Sequence, residues 1–252
     1  MIDFTDQLIL GDCLEVMQAI PDQSCDMVLC DLPYGKTACD WDIQIPIVLL
    51  WEQYNRLIRQ GGAVVLFGME PFTSLLIVSN LGAFNYCWIW DKGQAGVWLN
   101  AKRRPLEITE DIVVFGSDKY NPQMRTGKYR HKGSHREPRK HVIMSGKEHG
   151  YSSYNNQYYP VNLLTVGKRE KGVKRIHPTQ KPVELFEYLI KTYTDEGAFV
   201  LDNCAGSGTT AIAVINTGRH YCCIEKDQGY YDLMVKRVEE HKNKPRQLEI
   251  GI

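Results

Sequence analysis

Ala198-Phe199-Val200-Leu201-Asp202-Asn203-Cys204-Ala205-Gly206-Ser207-Gly208 is an apolar run that ends in an acid and opens into a glycine-rich turn. The run reads as a buried strand, and Thr209 to Thr217 beyond it reads as a helix. Glycine at 206 and 208 lets the backbone approach a ligand closely, and the helix N-terminus supplies unpaired N–H groups. Arg219 to Glu225 reads as the next strand, closing in an acid seventeen residues beyond Gly208. An acid there can accept hydrogen bonds from ribose hydroxyls. As a unit, the pattern points to an adenosine-bearing ligand. Gly206-x-Gly208-x-x-Ala211 also fits the dinucleotide fingerprint, which keeps a nicotinamide oxidoreductase as a rival.

Only 25 residues follow Asp227, room for one helix over Tyr230 to His241. A nucleotide-binding sheet therefore has to be completed by strands from the first 115 residues. Met27-Val28-Leu29-Cys30 reads as a buried parallel strand and leads into Asp31-Leu32-Pro33-Tyr34-Gly35. An acid, a proline and an aromatic ring thus stand at the carboxyl end of a strand, where open α/β sheets bind ligands. The acid reads as having no basic neighbour and the tyrosine as exposed, which suits a flat polar ligand. A plain turn accounts for Pro33-Tyr34-Gly35 as well. The strands ending in Asp31 and Asp202 are expected side by side, with their carboxyl ends on one rim.

The other elements alternate in the same α/β manner. Gln7 to Asp12 reads as a short strand, and Leu14 to Ile20 as a helix stopped at Pro21. Ile47 to Gln60 has helical spacing and stops at Gly61-Gly62, a glycine cap signal. Ala63 to Phe67 is a strand, and Pro71 to Leu81 a helix with proline in its first turn. Tyr86 to Trp90 and Glu110 to Phe115 suit an antiparallel pair at a sheet edge, and Val183 to Thr194 an amphipathic helix.

Net charge is zero by cancellation. Residues 118–175 hold 14 Lys and Arg against 4 acids, a net of +10 that leaves −10 on the remainder. Tyr120, Tyr129, Tyr151, Tyr154, Tyr158 and Tyr159 are interleaved with those cations. That mixture suits phosphates and stacked bases, whereas a charge run alone suits a solvated loop. Periodicity is lost over this segment, which reads as an inserted recognition region. The eight cysteines form no Cys-x-x-Cys pair and several lie in apolar runs, so they read as reduced thiols of a cytoplasmic protein, with no metal site. No run approaches eighteen apolar residues and no secretory signal is visible, so no membrane association is expected.

Taken together, these residues resemble the amino-methyltransferases of DNA in their permuted, β-class arrangement. Asp31-Leu32-Pro33-Tyr34 is similar to the family's Asp-Pro-Pro-Tyr motif, with Leu32 in place of the first proline. Asp202 to Gly208 resembles its cofactor loop, His177-Pro178-Thr179-Gln180-Lys181-Pro182 the block before that loop, and Gly11-Asp12-Cys13-Leu14 its N-terminal segment. The resemblance covers roughly residues 8–115 and 177–240.

It implies an α/β, Rossmann-like S-adenosylmethionine-dependent methyltransferase fold with a mostly parallel seven-stranded sheet. The catalytic half is expected over residues 1–116, a target-recognition insert over 117–176 and the cofactor half over 177–252. The implied cofactor site takes in Asp12, Cys13, Thr179, Lys181, Asp202, Cys204, Gly206, Ser207, Gly208 and Glu225. Thr179 and Lys181 are expected at the methionine end, Asp12 at the adenine and Glu225 at the ribose. Asp12 as a helix cap and Asp202 as a loop brace are equally open. Arg125, Lys128, Arg130, Lys132, Arg136, Arg139 and Lys140 are expected to contact DNA. A homodimer and a companion restriction endonuclease are partners the resemblance leaves open.

The chemistry suits the residues themselves. The exocyclic amine of adenine is a poor nucleophile because its lone pair is delocalised. The Asp31 carboxylate and the Leu32 carbonyl could accept its two hydrogens, while Tyr34 stacks on the extruded base. An aspartate near its usual pKa of about 4 takes the proton only after methylation has made the nitrogen cationic. Absence of a Pro-Cys pair excludes the cysteine chemistry of ring-carbon methylation. Asp31 favours adenine N6 over cytosine N4, where serine is usual. A non-catalytic nucleic-acid-binding module is the remaining alternative.

Overall fold

The computed structural model describes residues 3–35, 44–95, 101–132, 153–167 and 180–244. Thr179, Arg136, Arg139 and Lys140, together with His177-Pro178, lie outside the described residues. In chain order the elements are β1 (Gln7–Leu10), α1 (Cys13–Ala19), β2 (Cys25–Cys30), α2 (Ile47–Leu57), β3 (Ile58–Gly68), α3 (Phe72–Ser79), β4 (Phe84–Asp91) and β5 (Thr109–Gly116). They continue with β6 (Arg125–Lys132), β7 (Ser153–Tyr158), β8 (Leu163–Leu164), α4 (Val183–Tyr193), β9 (Phe199–Asp202), α5 (Thr209–Asn216), β10 (His220–Glu225) and α6 (Gln228–Lys242).

Two compact units result, one of Met1–Asn121 with Asn162–Ile252, the other of Pro122–Val161. The larger unit holds an eight-stranded sheet in the order β1-β10-β9-β2-β3-β5-β4-β8. Late strands β9 and β10 thus fit between β1 and β2. Leu201 pairs with Val28 in parallel register, which brings the ends at Asp202 and Asp31 to the same rim. Strand β5 runs antiparallel to both β3 and β4, the pair expected at a sheet edge.

Eight strands replace the expected seven. The addition is the two-residue β8, which lies along β4 because Ile89 donates its N–H to the Asn162 carbonyl at 2.7 Å and Trp90 Nε1 donates to the Val166 carbonyl at 2.7 Å. The chain therefore rejoins the sheet well before residue 176. On the other side, the Asn121 N–H still donates to Thr192 at 2.7 Å.

The end of α2 also differs. Helix gives way to strand at Ile58, and Gly61-Gly62 lies inside β3 rather than capping the helix. Between Cys25↔Ile58 and Met27↔Ala63 the register shifts, so extra residues of β3 must be absorbed there. Gly61 does so at φ +78°, and a Cβ on Gly62 would stand 2.8 Å from the Asp26 carbonyl oxygen. Both glycines answer to strand geometry.

Alternation along β2 divides the core. Met27 and Leu29 pack with Leu185, Phe186, Leu189, Val214 and Met234 of α4, α5 and α6. Val28 and Cys30 pack with Met17, Leu50, Trp51, Tyr54 and Leu76 of α1, α2 and α3. A central strand buried on both faces needs a continuous apolar run, and each fully buried valine or leucine contributes about 1.5–3 kcal/mol. Asp31 is the first residue after that run, so the strand delivers it at the end of the buried layer.

In the smaller unit, β6 and β7 pair antiparallel. Their strands escape an apolar-periodicity reading because aromatic and basic residues occupy the positions that would alternate.

Candidate active site

Asp31, Tyr34, Glu110 and Lys181 converge at the ends of β2 and β5 and just ahead of α4. The Tyr34 hydroxyl donates to Asp31 Oδ1 at 2.7 Å and to Glu110 Oε1 at 2.9 Å. Lys181 Nζ lies 2.9 Å from Asp31 Oδ2 and 2.5 Å from Glu110 Oε1. The ammonium is boxed by the rings of Phe67 at 5.1 Å, Trp90 at 5.8 Å and Tyr34 at 5.9 Å. Lys92 Nζ reaches Glu110 Oε2 at 3.8 Å. The Tyr34 ring packs 5.2 Å from Phe72, and its carbonyl accepts from Gln44.

This geometry corrects two expectations. Asp31 has a basic neighbour, Lys181, supplied from 150 positions away in the chain. Tyr34 is half-buried, with its hydroxyl tied between two carboxylates. Leu32 is buried and Pro33 half-buried. Glu110 and Lys92 were not anticipated. Their signal was an acid on the inward face of a strand, in step with Ile112 and Val114, and a lysine two residues beyond the buried Trp90. Buried charges of this kind occur when paired.

The two carboxylates are driven apart electrostatically. Burial holds the Asp31 carboxyl above its ordinary value, a push aided by Glu110 and only partly offset by Lys181. Burial also opposes ionisation of Glu110, but there Lys181, Lys92 and the Tyr34 hydrogen bond prevail and hold it low. The expectation that Asp31 sits near its usual pKa is thereby corrected. Burial works against the Lys181 cation, yet Asp31 and Glu110 overcome it and keep the ammonium charged.

The glycine loop is braced from several sides. Gly208, at φ +73°, precedes α5, and a Cβ there would meet Met234 Cγ at 2.7 Å, so neither the turn nor the packing admits a side chain. Asp202 is buried. It accepts from the Thr210 hydroxyl and from the Cys204 N–H at 3.1 Å, and burial pushes its carboxyl up to about 7. Glu225 accepts from the Gly206 N–H at 2.7 Å and the Asp227 N–H at 2.8 Å. Arg237 of α6 donates to the Ser207 carbonyl at 2.9 Å and to its hydroxyl at 3.1 Å. Asp12 caps α1 through the Leu14 N–H at 2.9 Å and pairs with Lys226 at 3.2 Å. Behind the loop the thiols of Cys13 and Cys30 both hydrogen-bond to Cys204; burial pushes Cys30 up to about 12, so these groups pack as neutral thiols.

Loop and acid corner are joined directly. The Thr209 hydroxyl, at the first residue of α5, donates to the Lys181 carbonyl at 3.2 Å, and the Lys181 ammonium holds Asp31. Among the expected cofactor residues that are described, Lys181 therefore reaches into the acid corner. Asp202, Ser207, Gly208 and Glu225 shape the loop.

In the smaller unit, Arg125, Lys128 and Arg130 are exposed along β6. Tyr129 and His131 pack on Tyr154 at 5.5 and 4.6 Å, and the Arg130 guanidinium lies 4.1 Å from the Tyr158 ring centre. The strand carries cations and packed rings in alternation.

Known proteins match this chain in sequence and in fold. Residues 26–236 match the N6/N4-type family model described as DNA methylase. The type II methyltransferase M.HinfI of Haemophilus influenzae is 24% identical over 273 residues, covering 98% of this chain and 72% of the relative. The DNA adenine methyltransferase YhdJ of Escherichia coli (strain K12) is 25% identical over 259 residues, covering 92% and 82%. The solved M1.HpyAVI–SAM complex superimposes with a TM-score of 0.60 at 21% identity, covering 92% of this chain and 98% of that one. The chain belongs to the N6/N4 family of DNA methylases.

Proposed function

We propose that the protein transfers the methyl group of S-adenosylmethionine to the exocyclic N6 amine of an adenine turned out of duplex DNA, in the permuted β-class layout. The observation that carries this reading is the Asp31 carboxylate at the end of β2, one strand from the glycine loop that ends β9. The loop fits the cofactor. Gly206 at φ +50° and Gly208 at φ +73° carry its turn, and the Glu225 carboxylate, which accepts the Gly206 and Asp227 N–H groups, retains a lone pair for a ribose hydroxyl. Asp12 and Cys13 belong at the adenine of the cofactor and Thr179 near its methionine end. When bound, S-adenosylmethionine supplies an electrophilic methyl.

The chain's own residues then activate the amine. Asp31 and the Leu32 carbonyl accept its hydrogens and draw the nitrogen lone pair out of the ring. Pro33 stiffens the turn, and Tyr34 offers its ring to the base from a position set by Asp31 and Glu110. Acceptors held ready for a growing positive charge supply most of the effect. After methylation the nitrogen is cationic, and its proton passes to Asp31. Nucleoside analysis of DNA methylated by the purified protein is expected to yield N6-methyladenine; N4-methylcytosine alone removes the adenine assignment.

The strand β6 serves as the DNA contact in this reading, its cations meeting phosphates. Replacing Arg125, Lys128, Arg130 and Lys132 by glutamine is expected to weaken DNA binding on all sequences alike. The slope of log affinity against log salt should fall by about 3 to 4. Fluorescence anisotropy between low and moderate salt measures this, and an unchanged slope removes the assignment. A companion endonuclease fits the type II name of one relative. A homodimer fits the apolar side chains left exposed on α2 and α3, Val48, Leu75 and Val78. A sedimentation mass of one chain, 28.9 kDa, would remove the dimer.

A further inference from the structure

We infer that Glu110 is a positioning residue for Asp31: it takes the larger share of the Lys181 charge and anchors the Tyr34 hydroxyl, leaving Asp31 free to receive the amine. The inference rests on the reading of Asp31 given above. Two carboxylates share one ammonium, and they do not share it equally. Lys181 Nζ is 2.5 Å from Glu110 and 2.9 Å from Asp31, and Lys92 stands by Glu110 on the far side at 3.8 Å. Glu110 keeps 6% of its side-chain surface exposed and Asp31 21%, so Asp31 alone of the pair has surface to offer a substrate.

Every charged or titratable group around Asp31 fits this division. Lys181 comes from the segment before α4, Glu110 from β5, Tyr34 from the turn after β2 and Lys92 from the end of β4. Asp202 of β9 and Cys30 of β2 stand behind it and add no positive charge. Glu110 faces both ammonium groups, and with the Tyr34 hydrogen bond they hold its carboxyl low. Asp31 is the carboxylate that stays available as a proton acceptor, the separation of roles expected where two acids are driven apart. In the step itself the methyl carbon–sulfur bond breaks as the carbon–nitrogen bond forms. An N–H bond of the resulting cation then breaks, its electron pair stays on nitrogen, and the proton joins an Asp31 oxygen.

Glu110→Gln preserves the shape of the side chain and hands the whole Lys181 charge to Asp31. Turnover is expected to fall about tenfold at neutral pH, since a weaker base accepts less readily. The acidic limb of the kcat profile, which requires ionised Asp31, should move about one pH unit lower. The dissociation constant for S-adenosylmethionine should stay within about twofold. Because the single change leaves Lys92 buried without its acid, the double variant Glu110→Gln, Lys92→Met is measured beside it and should show the same limb shift. Glu110→Asp keeps the charge and should return the limb to its original position.

A fall in kcat with the limb unmoved in both Gln variants overturns the inference, and so does unchanged turnover. Failure of the underlying reading is seen separately: if Asp31→Ala keeps wild-type turnover, Asp31 is not the acceptor, whatever Glu110→Gln does.

Discussion

Asp31→Ala is expected to lower kcat for methyl transfer about a thousandfold, the cost of removing one preorganised acceptor of transition-state charge. The dissociation constant for S-adenosylmethionine should stay within about twofold of wild type, because the loop braces are Glu225, Arg237 and Thr210 rather than Asp31. Folding should survive the change. Lys181 keeps Glu110 at 2.5 Å, and the Tyr34 hydroxyl keeps Glu110 as an acceptor, so no buried donor is orphaned. Single-turnover transfer of labelled methyl groups, run beside a calorimetric titration of the cofactor, separates chemistry from binding. A variant that retains more than about a tenth of the wild-type rate removes Asp31 from the proposed role.

What could be read from the sequence, and what could not, follows how far each feature depends on distant residues. The run Val200-Leu201-Asp202 and the run Val28-Leu29-Cys30 are local patterns, each a buried strand that leads into an acid at its carboxyl end, and that likeness sets them side by side. Their parallel register confirms that pairing. The acid corner is different. Glu110 reaches Tyr34 across 76 positions, and it looks locally like one polar residue in a strand. Lys181 looks like an ordinary cation before a helix until β2 and β5 are brought beneath it. Gly61-Gly62 misled for a related reason: two glycines after a helical run signal a cap, and only the approach of the Asp26 carbonyl shows that β3 needs them. The short strand β8 carries no period of its own and exists because β4 has an open edge to receive it. Asp12 and Asp202 were each open to a structural reading, and each makes the corresponding hydrogen bonds, as a cap and as a brace.

Lys181→Met tests the same corner through stability. Methionine has a similar length and suits the box of Phe67, Trp90 and Tyr34, so packing alone should cost little. The charge balance changes far more. Asp31 and Glu110 are left facing each other across the Tyr34 hydroxyl, with Lys92 at 3.8 Å from Glu110 as the remaining cation. Breaking a buried pair by removing one partner costs about 3–5 kcal/mol, and a loss of this size is expected at pH 7 in urea unfolding. Its pH dependence has a definite sign. In wild type, Glu110 is held below its unfolded value, so its contribution is present above that value and fades as the pH falls through the lower folded one. Lys181 is held above its unfolded value, so its contribution is complete through neutral pH and fades only in strong alkali. In the variant, both carboxyls have burial and each other to push them up. The folded state then binds protons that the unfolded state has released, and acidification stabilises it. The deficit against wild type should therefore shrink between pH 7 and pH 5. A deficit below about 1 kcal/mol would place Lys181 among ordinary surface pairs. One that grows on acidification would mean that the ammonium is not what keeps the two acids ionised together.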